Sequence, residues 1–106
     1  MKFTVLLDRL AYPAGALIRE GFEWLGFGDV DAIVERSPKE FFEKLTMLLD
    51  GDKREAELFV YMVAKILEQE HGIQIDAEEW LEAFKSNEDS YVREWLEKLD
   101  SLLGGS

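Results

Sequence analysis

Cysteine is absent from these 106 residues. That removes disulfide frameworks, thiolate zinc sites, iron–sulfur clusters and cysteine nucleophiles together. Histidine occurs once, at His71, so a catalytic triad or an imidazole metal site has a single ring to draw on. Asparagine occurs once and glutamine twice, while fifteen Glu outnumber eight Asp. Few thermolabile residues beside abundant Glu match a thermophile source. Long apolar runs are missing too. Only Phe3 to Leu7 are uncharged before Asp8, too few for a secretory core or for the ~20 residues of a membrane span. The expectation is a soluble, cytoplasmic chain. Positive charge is also scarce: twelve Lys and Arg face twenty-three Asp and Glu, for a net charge of −11. Direct binding of nucleic acid or an anionic membrane through the general surface is therefore not expected.

Apolar residues make up 47% of the chain and aromatic residues 12%, enough for a packed core rather than a disordered tract. The pattern is helical from end to end. Phe3, Leu6, Leu7, Leu10, Ala14, Leu17, Ile18, Gly21 and Leu25 recur at three- and four-residue steps, the period of one helical face. Pro13 interrupts that stripe without shifting its phase, which predicts one first helix kinked near Pro13. Asp29 caps a short helix over 30–36. Ser37-Pro38-Lys39-Glu40 is a capping box with proline at the first helical position, opening a helix that Gly51 stops. Asp52 with Glu55, and Asp76 with Glu79, repeat the device. The last helix carries Val92, Trp95, Leu96, Leu99, Leu102 and Leu103 on one face.

The prediction is an all-α fold: a single compact domain over 1–103, a bundle of five or six helices. Gly104-Gly105-Ser106 reads as a flexible tail or cloning remnant. Leu58 to Ala64 is a run of uncharged, mostly apolar residues inside a helix, which predicts that the helix over about 53–71 is the buried centre of the bundle. On that reading Phe59→Ala is the most damaging single truncation.

The stretch from Tyr12 to Ile73 resembles small archaeal all-helical domains of unknown function, some of which serve as signalling output modules. The resemblance rests on Pro13-Ala14-Gly15 ahead of an apolar helix, Ser37-Pro38-Lys39-Glu40-Phe41, Leu48-Leu49-Asp50-Gly51, and a long helix ending in His71-Gly72-Ile73. It implies a helical fold and brings no catalytic residues or substrate.

The candidate chemistries are thin. Glu68-x-x-His71 has the spacing of carboxylate-bridged di-iron bundles, but those sites need two such motifs and further Glu. His71 reads more simply as a side chain in the last helical turn, favourable against the helix dipole. Asp50-Gly51-Asp52 begins like a calcium loop, yet Arg54 occupies the third acidic position. Asp29, Asp31 and Glu35 read as caps and first-turn acids. No metal site, cofactor or catalytic residue is predicted, and enzyme activity is not expected.

What remains is apolar surface beyond the main stripes. Met47 lies opposite Phe41, Phe42 and Leu45 on its helix. Leu58 and Met62 form an i, i+4 pair off the main face of theirs, and Val5 and Tyr12 fall away from the first stripe. Met-containing apolar residues rimmed by charge have the anatomy of a recognition surface. The functional expectation is a protein–protein interaction module, binding another protein or a second copy of itself as a homodimer. The Gly-Gly-Ser end also allows an engineered binder on a natural scaffold. The alternative is an acidic mimic of nucleic acid, with Glu70, Glu78, Glu79, Glu82, Glu88 and Asp89 crowding the last third. A metal-binding helical protein ranks behind both.

Overall fold

Caps define this chain's helices. In the computed structural model, which describes residues 1–103, seven helices follow one another: α1 (Phe3–Ala11), α2 (Ala14–Trp24), α3 (Val30–Arg36), α4 (Pro38–Leu48), α5 (Lys53–His71), α6 (Ala77–Lys85) and α7 (Asp89–Leu102). The expected tail at 104–106 lies outside the described residues. Among the described residues there is no strand, and no helix is long and apolar enough to cross a membrane.

Four helices start as the spacing predicts. The side chains of Asp29, Ser37, Asp52 and Asp76 each accept from a backbone N–H in the first turn of α3, α4, α5 and α6. Gly72 ends α5 in the left-handed region at φ 65°, which a residue without Cβ adopts at no steric cost. The capping box at Ser37 forms only in one direction. Its hydroxyl oxygen accepts from the Glu40 N–H at 3.1 Å, but its own N–H donates to the Ile33 carbonyl. Glu40 turns instead to Lys44 and Arg36.

The kinked first helix is not observed, and its division accounts for a count of seven helices rather than five or six. Tyr12 takes an extended conformation, the Tyr12–Pro13 bond is cis, and α2 packs back along α1. The approach is close: a Cβ on Gly15 would collide with the Thr4 carbonyl oxygen. Neither Lys2 nor Pro13 caps its own helix through a side chain, so carboxylates from elsewhere supply that role. Asp8 of α1 accepts from the Gly15 and Ala16 N–H groups at 2.7 and 3.3 Å. Asp31 of α3 accepts from the N–H and hydroxyl of Thr4 at 2.9 and 2.7 Å. A carboxylate at a helix N-terminus meets both unpaired donors and the positive end of the dipole.

The restart at Ala14 also resets the phase of α2. Gly15, Ile18 and Phe22 point inward, while Leu17 and Leu25, expected on the core stripe, are exposed. The core is centred on aromatic rings rather than on α5. Phe41 lies 5.1 Å from Phe3, 5.7 Å from Phe22 and 5.9 Å from Phe84, and Trp80 lies 5.1 Å from Phe84. Helix α5 covers this centre from one side. Ala56, Val60, Val63, Ala64 and Leu67 are buried, Phe59 is only partly so, and the opposite flank is open. An uncharged run of seven residues nearly circles a helix, so it identifies apolar content without saying which flank has a neighbour.

Candidate functional site

All five singled-out side chains, Val5, Tyr12, Met47, Leu58 and Met62, are exposed, but they do not form one patch. The break at Pro13 and the one-sided packing of α5 together leave a groove between the α1–α2 corner and α5. Its volume is about 380 Å³, and Leu10, Ala14, Leu49, Leu58, Phe59 and Met62 are among its walls. Glu55 is the one charged residue in its lining. Leu58 is 58% exposed and Met62 43%. Tyr12 stands at the corner itself, between Ala11 and Ala14, which both line the groove.

Met47 lies elsewhere, in a second groove along α4 that contains four lysines. Val5 lies on the exposed side of α1, whose buried residues are Phe3, Thr4, Leu6 and Leu7, and lines neither groove. The structure thus brings Leu58 and Met62 together, puts Tyr12 at the corner next to two lining residues without making it part of the lining, and leaves Met47 and Val5 apart.

Leu17 and Trp24 of α2 and Leu25 just after it are further exposed apolar residues, and none was singled out from the sequence as a surface residue. Leu17, one turn beyond the groove residue Ala14, is exposed, as are Trp24 and Leu25. Trp24 is 87% exposed, the most open large apolar side chain among the described residues. A signal for them existed. Once the helix is restarted at Ala14, Gly15, Ile18 and Phe22 claim the inward face, and Leu17 and Trp24, seven residues apart, fall together on the outer one. Exposed Glu20 lies one turn from both, so this face has an acidic flank.

The remaining candidates are occupied by structural work. Asp31 is spent on α1, and its neighbour Asp29 on the start of α3. Glu68 pairs with Lys65 at 3.0 Å, raising the lysine's pKa through that hydrogen bond, and His71 is exposed at the end of α5. Among the described residues no three His, Asp or Glu side chains stand close enough to hold a metal ion. In the acidic last third, Ser86 donates to Glu82 at 2.7 Å and Arg93 lies 3.8 Å from Asp89.

No known protein family matches the chain, and no curated protein or solved structure does either.

Proposed function

We propose that this domain is a non-enzymatic interaction module that receives an amphipathic helix of another protein in the groove between the α1–α2 corner and α5. One observation carries the reading: Leu58 and Met62, an exposed i, i+4 pair, project along a groove whose lining holds a single charged residue. Burying those side chains is favourable by about 25 cal/mol for each Å² of apolar surface removed from water. Within the groove, α5 runs from Glu55 to Ile66, roughly 16 Å at 1.5 Å per residue. That length suits about three turns of a docked helix, read through anchors at i, i+3/i+4 and i+7.

Charge selects the partner. A second copy of the chain brings another −11 to the interface, whereas a helix with Lys or Arg flanks is drawn in by the same field. The reading is therefore a heterologous, basic partner rather than a homodimer. The acidic-mimic alternative needs carboxylates in rows; in the last third Arg93 sits against Asp89, and Lys85, paired with Glu57 of α5, stands among the other acids. The resemblance of 12–73 to small archaeal all-helical domains of unknown function, some of which serve as signalling output modules, is compatible with an interaction role.

Calorimetry with a synthetic helix of Leu and Lys, leucines at i, i+3 and i+7, tests the reading. Binding is expected at about 10 µM, and Leu58→Gln with Met62→Gln is expected to weaken it at least about tenfold. The double variant keeps the net charge, so unchanged binding would show attraction by the general acidic surface and contradict the proposal.

A further inference from the structure

A chain with about twice as many acids as bases is expected to disperse its cations among carboxylates. Along the outer side of α4 it does not. Four of the twelve basic residues, Lys39, Lys44, Lys53 and Lys85, line one open groove of about 580 Å³ with Phe42 and Met47. Only two carboxylates, Glu40 and Glu43, share the lining. This concavity is locally cationic on a protein of net charge −11. Its size falls in the range of small-molecule sites.

The four lysines divide into two roles. Lys44 and Lys85 are fixed by neighbours. Lys44 Nζ lies 2.8 Å from Glu40, which also takes Arg36 at 2.9 Å on the same oxygen, and 5.6 Å above the Phe27 ring. Those two hydrogen bonds hold the Glu40 carboxyl below its ordinary range. Lys85 Nζ lies 2.6 Å from Glu57 across the α5–α6 contact, and that bond keeps the amine protonated to higher pH than usual. Lys39 and Lys53, by contrast, have no ion-pair partner among the described residues. One stands in the first turn of α4 and the other begins α5. Phe42 is nearly buried beneath the groove, and Met47 is exposed over it. The concavity combines two ammonium groups outside any ion pair, Lys53 lying within the field of Glu57, with an apolar wall that includes a pliable thioether.

We propose that this groove binds a small organic anion: a single carboxylate or phosphate on an apolar body. Lys39 and Lys53 meet the charge, and Met47 with Phe42 packs against the body. The surrounding acidic surface sets the size. A polyanion longer than the groove runs into carboxylates within a Debye length of about 8 Å, whereas a compact anion is confined to the cationic concavity. This site is separate from the α1–α2/α5 groove and does not depend on the docking reading.

The chain's three methionines permit a direct test, because each reports a different place. Met47 lies in the lysine groove and Met62 in the apolar one. The Met1 amino group bonds Asp100 and the Leu96 carbonyl, and none of these three residues lines either groove. Protein labelled with 13C at the methionine methyls is titrated with phenyl phosphate, followed by NMR. A saturable shift of the Met47 methyl is expected, with Met1 and Met62 unmoved. Inorganic phosphate and phenol, each lacking half of the ligand, are expected to bind at least about tenfold more weakly. Lys39→Gln with Lys53→Gln is expected to cost at least about tenfold in affinity, with the thermal midpoint unchanged because neither amine holds a partner. An unmoved Met47 methyl at about 20 mM phenyl phosphate overturns the proposal. So does an equal response to phenol, a response confined to Met62, or unchanged affinity in the double variant.

Discussion

Phe41 packs against three other rings, from α1, α2 and α6, and is fully buried. Edge-to-face and offset pairs of this kind add to the plain burial of aromatic area. Phe59 on α5 keeps part of its ring at the wall of the apolar groove. Phe41→Ala should therefore cost about 3–5 kcal/mol, and Phe59→Ala clearly less, since its cavity opens to solvent. Urea denaturation ranks the two, and the reverse order would place α5 back at the centre. The sequence carries both phenylalanines at sound helical positions. What it lacks is the tertiary neighbour that decides which one becomes the hub. Trp80 shows the same dependence: fully enclosed beside Phe84, its indole N–H has no acceptor among the described residues, a cost the aromatic packing must outweigh.

Helix boundaries were the most legible feature at the element scale, because caps are local. Asp29, Ser37, Asp52 and Asp76 announce four helices within a few residues of their starts. Three N-termini, those of α1, α2 and α7, lack a local side-chain cap, and for the first two the borrowed caps were not legible. Helix α1 depends on Asp31 and α2 on Asp8, and nothing in the spacing of either acid says that it will be spent on another helix. The same gap concealed the break at Pro13, and with it the reversal of α2 and the exposure of Leu17 and Trp24. Asp8→Ala and Ser37→Ala measure the difference. Ser37→Ala removes a local cap and should cost about 1 kcal/mol. Asp8→Ala leaves two N–H groups in the tight α1–α2 corner without their charged acceptor and should cost about 2 kcal/mol. Chemical denaturation of the two variants gives the comparison. Equal losses would mean that water replaces the Asp8 carboxylate freely.

At the scale of the whole molecule, a radius of gyration of 12.7 Å matches the roughly 13 Å expected for one compact domain of this length. Its surface divides by character. The body is strongly acidic, the side bounded by α1, α2 and α5 is apolar, and the outer side of α4 holds four lysines. Composition made the first of these plain. The apolar side was half visible, through Leu58 and Met62, because an i, i+4 pair off the core face can be read from helical phase alone. The groove that joins them to Leu10 and Ala14 required the chain to reverse at Pro13. The lysine groove was not legible, since Lys39, Lys53 and Lys85 come from three helices and meet only in the fold.

The central claim is that the apolar groove is where a partner docks. Its most direct measurement is the methionine-methyl NMR spectrum of the intact protein during titration with the Leu/Lys helix. The account predicts a saturable shift of the Met62 methyl in the 1:1 complex, with Met1 and Met47 holding their positions. An unmoved Met62 methyl, or movement of Met47 instead, would contradict it.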